Sequence, residues 1–87
     1  MAFKDIVVNK KERYSIGTED ISGGHYVAVP VSNSLVDYDE YYEISKEEFN
    51  NYLNDENLAL EFVEKCRRRE QDNLLFFQPG RDRGWPV

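Results

Sequence analysis

The fold is decided by the stretch Val36–Asp37–Tyr38–Asp39–Glu40–Tyr41–Tyr42–Glu43–Ile44, which runs directly into Ser45–Lys46–Glu47–Glu48–Phe49. In the first part, alternate residues are apolar except for Glu40, and the residues between them are acidic or tyrosine. This period of two predicts a strand with one face suited to a core and one to water. The residues before the stretch are typical of strands, and those after it are typical of helices.

A helix start is predicted at Ser45. Ser45 and Glu48 have the spacing of a capping box, in which each side chain accepts a backbone N–H of the first turn. Ile44 and Phe49 flank this start at the spacing of a hydrophobic staple. Two independent signals therefore place the end of the strand and the start of the helix at the same residue.

Three earlier strands are predicted, at residues 3–8, 13–19 and 25–31. Gly17 lies inside the second strand and indicates a bulge or a close approach of backbone. The third strand is apolar on both faces, which is typical of an inner strand. Pro30 has no N–H for a ladder, so it predicts a bulge or a local edge.

A second helix is predicted after the first, with Asp55 placed to cap it. Its apolar residues recur at helical spacing: Leu58, Ala59, Phe62, Val63 and Cys66. Residues 74–77 form either a short strand or a segment laid across the core, and an irregular C-terminal tail follows. We therefore predict one α+β domain over residues 1–87. It contains a three- to four-stranded antiparallel meander, followed by two helices packed on one face of the sheet.

The composition argues against several classes of protein. No apolar run approaches the roughly 20 residues that a membrane-spanning helix needs. The first residues lack the basic start and apolar stretch of a signal peptide. The single cysteine, Cys66, cannot form an internal disulfide and is expected to be a buried thiol. We therefore expect a cytoplasmic protein with no membrane partner.

The net charge of −6 is distributed unevenly along the chain. Up to Glu64 there are 5 basic and 14 acidic residues, a balance of −9, and from Lys65 onward there are 6 basic and 3 acidic residues, a balance of +3. An acidic body repels phosphates, which argues against nucleic acid as a partner. It suits a basic protein partner, or serves solubility alone.

No catalytic motif is present, so we expect neither an enzyme nor a cofactor. His25 is the sole histidine, and a histidine-based metal or nucleophile site cannot be built from it. The acids of the central stretch miss the spacing of a calcium loop, and no metal is expected at Asp37, Asp39, Glu40 and Glu43.

The arginines of the C-terminal part allow two interpretations. They either contact phosphate or complement the helix dipole and pair with the acidic body. The second is preferred, because three consecutive helical residues point about 100° apart and make no single patch. The residues concerned are Arg67, Arg68, Arg69, Arg81 and Arg83.

The strongest functional signal is the outward face of the central stretch. Tyrosine is a common anchor at interfaces, and surrounding acids would attract a basic partner and speed its encounter. The alternative is a strand face that is simply solvated. We predict a partner-binding face composed of Asp37, Asp39, Tyr41, Glu43 and Tyr26.

Several stretches resemble a type of small bacterial protein that carries no catalytic motif: Tyr14–Gly17, Pro30–Asn33, Val36–Tyr42, Cys66–Glu70 and Pro79–Gly84. In size, acidity and single-domain build the chain is also similar to immunity proteins of contact-dependent growth inhibition toxins. That resemblance implies a protein that binds and blocks one toxin, often a basic nuclease. The alternative hypothesis is a small homodimeric interaction module, paired through its sheet, with no toxin partner.

Overall fold

The computed structural model describes residues 2–87 and contains an antiparallel sheet followed by two helices. The elements are β1 (Phe3–Asn9), β2 (Tyr14–Glu19), β3 (His25–Ser32), β4 (Asp37–Ile44), α1 (Lys46–Asn54), α2 (Glu56–Arg67), a 3₁₀ turn (Asp72–Leu74) and β5 (Trp85–Pro86). The first four strands are neighbours in space in the order of the sequence, and β5 pairs with β3. The predicted α+β fold is confirmed.

The junction between β4 and α1 has the geometry that the sequence predicts. Ser45 Oγ accepts the Glu48 N–H at 3.0 Å, and Glu48 Oε1 accepts the Ser45 N–H at 2.9 Å. This reciprocal capping box fixes where the helix begins. Asp55 caps α2 in turn, by accepting the N–H groups of Asn57 and Leu58.

Ser45→Ala should lower the free energy of unfolding by about 1 kcal/mol, because the N–H of Glu48 loses its cap. Urea denaturation measures the change. Ser34→Ala is the control, since Ser34 is an exposed serine in the turn before β4. Equal losses in the two variants would contradict a capping role.

One hydrophobic core fills the space between the sheet and the helices. It consists of Tyr14, Ile16, Val27, Val29, Tyr42, Ile44, Ala59, Phe62, Val63 and Cys66. Tyr26 and Val27 are adjacent in β3, point to opposite faces and are both fully buried, which confirms the inner strand. Cys66 is buried as predicted, and burial raises the pKa of its thiol to about 12.

Leu58 departs from the predicted apolar stripe of α2. Its side chain is 42% exposed, whereas Ala59, Phe62 and Val63 are buried. The buried positions follow the spacing i, i+3, i+4 and i+7 from Ala59. Leu58 lies about 100° from Ala59 around the helix, which turns it toward solvent.

A bulge at Ile6 divides β1 into two halves. Asp5 pairs with Gly17, and the next pair is Val7 with Ile16, so Ile6 has no partner in β2. Because a bulge adds one residue, it reverses which residues face each side of the sheet. Val7 shares the helix side with the core residue Ile16. Phe3 and Asp5 lie on the opposite side, which we call the far face.

The positions of Gly17 and Pro30 in the sheet agree with their residue types. A Cβ on Gly17 would lie 2.5 Å from the Tyr26 hydroxyl oxygen, so the Tyr26 ring packs directly over the glycine. Pro30 lies between the β3 residues paired with β2 (25–28) and those paired with β5 (31–32). The missing N–H therefore lies at the boundary between the pairing of β3 with β2 and its pairing with β5. The predicted close approach and local edge are both confirmed.

The C-terminal residues are held against the sheet. Leu75 forms an isolated bridge with Tyr42, and the Phe76 N–H donates to the Tyr41 carbonyl at 3.0 Å. Leu74 and Leu75 pack against the core. Residues 74–77 are therefore laid along the β4 edge, and the predicted irregular tail ends in the short strand β5. Within residues 2–87, no helix combines the length and apolar character needed to cross a membrane.

Glu19 organises the turn between β2 and β3. Its buried carboxylate accepts the Ser22 hydroxyl at 2.6 Å and the N–H groups of Ile21 and Ser22 at 2.7 and 2.9 Å. The hydrogen bond from the Ser22 hydroxyl, followed by those from the two N–H groups, stabilises the ionised form. They hold the pKa of Glu19 at about 2, below the ordinary 4.5.

Glu19→Gln should make the protein less stable at pH 7 and should flatten its acid unfolding. Because the pKa is lower in the folded state, the stabilisation from Glu19 is present above about pH 4.5 and is lost as the pH falls toward about 2. Urea denaturation at several pH values measures the difference between the two proteins. A difference that does not shrink as the pH falls would contradict this role.

Candidate functional site on the far face

The strand β4 turns its acidic side toward the far face. Asp37, Asp39 and Glu43 are exposed there, and Tyr41 is half-buried. The alternate residues of the same strand, which include Glu40 and Tyr42, are buried on the helix side. The predicted alternation of β4 is therefore observed, and four of the five predicted site residues lie on one exposed strand face.

The centre of the far face is a cluster of aromatic rings, which we call the far-face cluster: Phe3, Tyr26, Tyr41, Phe76 and Phe77. Phe3 reaches from β1 to stack on Tyr41, with ring centroids 3.8 Å apart. Tyr26 meets both rings edge-on, at 5.3 and 5.1 Å. The small residues Gly17 and Ala28 lie beneath and leave room for the rings.

Tyr26 lies on the predicted face but is not part of its exposed surface. The residue is fully buried, because its ring is held between Gly17 and the Phe3 ring. Its hydroxyl donates to Asp5 Oδ1 at 2.5 Å. Burial raises the pKa of Tyr26, and its hydrogen bond to the Asp5 carboxylate raises the pKa further. Tyr26 therefore positions Asp5 and has no surface that a partner could contact.

Asp5 and Phe3 are site residues that the sequence analysis missed. They alternate with Lys4 at the spacing of a strand face, but the bulge at Ile6 decides which face that is. Phe3 completes the far-face cluster and Asp5 adds a carboxylate beside Asp39. The alternation of Phe3, Lys4 and Asp5 is visible in the sequence, but it does not show on which face of the sheet Phe3 and Asp5 lie.

Asp5 and Asp39 bring like charges together. Burial raises the pKa of Asp39, and the negative charge of Asp5 raises it further. The pKa of Tyr41 is raised by burial and then by the charge of Asp39. A shallow pocket of about 290 Å³ beside the two carboxylates is also lined by Arg13 and Ser15. This part of the far face therefore brings two acidic residues to one pocket, together with the basic residues Lys10 and Arg13.

Glu40 belongs to a separate ionic network on the helix side of β4. Arg83 donates to both oxygens of Glu40, at 2.7 and 3.1 Å, and to both oxygens of Asp72, at 2.7 and 2.8 Å. The Tyr42 hydroxyl also donates to Glu40, at 3.1 Å. The hydrogen bonds from Arg83 lower the pKa of Asp72.

The C-terminal arginines mostly engage groups of the chain itself. Arg83 is 11% exposed and has both edges of its guanidinium occupied. Arg67 pairs with Glu64 and Arg68 pairs with Glu70. Arg69 donates to the Gly84 carbonyl and lies over the Trp85 ring. Pairing with the acidic body, the preferred interpretation, is confirmed for Arg67 and Arg83, whereas the partner of Arg68 lies in the C-terminal part.

The acids of the central stretch are divided between two faces of the sheet. Glu40 is directed to Arg83, whereas Asp37, Asp39 and Glu43 lie on the far face. In residues 2–87, no group of three or more histidine, cysteine, aspartate or glutamate side chains is arranged to hold a metal ion. The arrangement is suited to attracting and orienting a cationic surface.

The far face has a charged rim and an apolar centre. Its contributors come from β1, β3, β4 and the segment after the 3₁₀ turn. Comparisons with family models, with curated proteins and with solved structures find no match to this chain.

Proposed function

We propose that this protein binds a basic protein partner through its far face and neutralises it, as an immunity protein that blocks the nuclease of a bacterial toxin. The observation that carries the proposal is that the carboxylate residues Asp5 and Asp39 line the same shallow pocket on the far face. Burial raises the pKa of Asp39, and the charge of Asp5 raises it further.

Repulsion between neighbouring carboxylates does not help the chain to fold. Perturbed ionisable groups beside a pocket are common at functional sites. A lysine or arginine of a partner, placed between Asp5 and Asp39, would replace the repulsion by attraction. This supports a role for the two carboxylates in binding.

The aromatic rings supply the apolar centre that such an interface needs. Tyr41 is half-buried and stacked on Phe3, and Phe77 at the border of the same cluster is 57% exposed. Exposed acids surround these rings on β4. Interfaces commonly combine an aromatic centre with a polar rim.

A nuclease fits this surface because its active site is built to hold phosphates. Closely spaced carboxylates present negative charge to the same basic groups and would exclude the nucleic acid by occupying them. Cytoplasmic location and the absence of catalysis belong to the proposal. The buried thiol of Cys66 agrees with a reducing compartment.

We expect association with the partner to depend steeply on salt. Raising salt from about 0.01 M to about 0.15 M shortens the Debye length from about 30 Å to about 8 Å. The association rate should then fall at least about tenfold, while the dissociation rate changes much less. Stopped-flow mixing with a basic nuclease domain of a bacterial toxin measures both rates, and isothermal titration measures the affinity.

Variants separate the roles of charge and ring. Replacing Asp37, Asp39 and Glu43 by their amides should slow association and weaken its salt dependence, without lowering the urea midpoint. Tyr41→Ala should instead raise the dissociation rate.

The control variant loses the same amount of charge on the helices. In it, Gln replaces three glutamates that are also exposed: Glu47, Glu61 and Glu64. If the far-face triple variant binds like this control, the partner does not use the far face. A stable dimer that buries Tyr41 and binds no toxin would support the homodimeric alternative.

A further inference from the structure

We propose that the outer edge of β1 is a second docking site, which takes an extended peptide strand with an apolar middle and acidic ends. This site adjoins the far face, because Val8 and Lys10 line the same pocket as Asp5 and Asp39, but it does not depend on the function proposed for that face.

β1 is an edge strand. Within residues 2–87 it pairs with β2 alone, so its outer edge presents N–H and C=O groups to solvent. Three consecutive apolar residues on it are exposed, Ile6 by 51%, Val7 by 37% and Val8 by 57%. Natural edge strands are usually protected by charge, proline or cover. An open apolar edge is suited to receiving another strand.

Each side of this edge offers an apolar contact to an added strand. Val7 faces the helix side, where a cavity of about 200 Å³ is also lined by Tyr52 and Leu53. Val8 faces the far side, since it pairs with Ser15. Successive side chains of a strand point to opposite faces. A bound peptide would therefore direct one side chain into the cavity and the next onto Val8.

Exposed lysines lie at both ends of β1. Lys4 lies at one end and Lys10 and Lys11 follow the other; all three are exposed, and no salt bridge of residues 2–87 involves them. Residues 2–13 contain four basic and two acidic residues, a balance of +2, although the whole protein carries −6.

The cationic end is also fixed in position. The Arg67 guanidinium donates to the carbonyl oxygens of Glu12 and Arg13 and so holds the turn that carries Lys10 and Lys11. The Asp5 carboxylate accepts a hydrogen bond from the Tyr26 hydroxyl and, within residues 2–87, forms no salt bridge with a lysine of this edge. Acidic residues at both ends of a peptide would meet this pattern.

A second copy of the chain fits the edge less well than an acidic-ended peptide. In an antiparallel pair around a two-fold axis, Lys4 of each copy would approach Lys10 and Lys11 of the other. Like charges across a strand pair are destabilising. The bulge at Ile6 would also bend both edges. A foreign strand with acidic ends avoids the repulsion.

The test compares three short labelled peptides on the unchanged protein. The first alternates valine and threonine and has two acidic residues at each end. The second has lysines at the ends. The third is the acidic peptide with N-methyl groups in the middle of its backbone, which removes N–H donors. Fluorescence anisotropy should show binding of the first and at least about tenfold weaker binding of the other two. Amide shifts in NMR spectra should concentrate in residues 3–9.

A charge-reversed variant completes the experiment. Lys4→Glu with Lys10→Glu should weaken binding of the acidic peptide at least about tenfold. The control, Lys46→Glu with Lys65→Glu on the helices, should leave binding unchanged. Equal binding of the three peptides, or no binding of any, would overturn the proposal. Protection of the β1 amides in a dimer without peptide would also overturn it, since a second copy would then be the occupant.

Discussion

Arg83→Met should lower the free energy of unfolding by about 3–5 kcal/mol, the range seen when one partner of a buried ion pair is removed. Glu40 is 8% exposed and would keep only the Tyr42 hydroxyl as a donor among its present side-chain partners. The Asp72 carboxylate would lose the same guanidinium. Methionine keeps much of the length of the arginine stem, so the loss reflects charge and hydrogen bonds more than packing. Urea denaturation at pH 7 measures it.

Two further variants show whether the loss of stability comes from the buried ion pair. Arg81→Met changes an exposed arginine on the same segment and should alter stability by no more than about 0.5 kcal/mol. Adding Glu40→Leu to Arg83→Met should recover most of the stability, because a buried pair replaced by apolar residues is often nearly neutral. If Arg83→Met costs no more than Arg81→Met, the buried network does not support the fold.

Gly17→Ala should destabilise the protein by about 3 kcal/mol or more, at or above the upper end of the usual cost of overpacking. The new Cβ would overlap the carbonyl oxygen of Lys4 and lie 2.7 Å from Cζ of Tyr26. The carbonyl of Lys4 belongs to the backbone, so it cannot move aside as the end of a flexible side chain could. Either β1 moves away from β2 or the Tyr26 ring leaves its place, and both break the far-face cluster.

Gly80→Ala is the matched control for this change. A Cβ at Gly80 would meet no atom within 4 Å, so its effect should stay within about 0.5 kcal/mol. Thermal or urea denaturation compares the two variants. Equal stability of Gly17→Ala and Gly80→Ala would show that β1 and Tyr26 do not pack over Gly17 as described.

The junction at Ser45 could be predicted because its determinants are local. Ser45 and Glu48 satisfy each other across one turn, and the alternation of β4 is evident within the strand itself. The inner position of β3 followed from its own two apolar faces. These features require no information about how distant segments meet.

The far face could be predicted only in part, because its rings come from distant segments. Stacking of Phe3 on Tyr41 depends on the bulge at Ile6, and the run of residues 6–8 does not indicate which of them is the extra one. The burial of Tyr26 follows from that stacking. The sequence predicts that both Tyr26 and Tyr41 belong to this face, although only Tyr41 retains exposed surface.

Glu40 is a similar case on the helix side. The sequence shows it as an interruption of an apolar strand face. Its partner Arg83 lies 43 residues away, among several arginines that no local pattern distinguishes. A buried charge can be recognised from the sequence as an anomaly, but its counter-ion is known only from the tertiary structure.

We expect folding to bring Glu40 and Arg83 together late. The strands β1 to β4 pair with their neighbours in sequence, so their contacts close short loops at small entropic cost. The ion pair requires the chain to pass through both helices and the 3₁₀ turn and then return to β4. We expect the transition state for folding to contain the meander without this pair. Arg83 would then mainly slow unfolding and would have little effect on the folding rate.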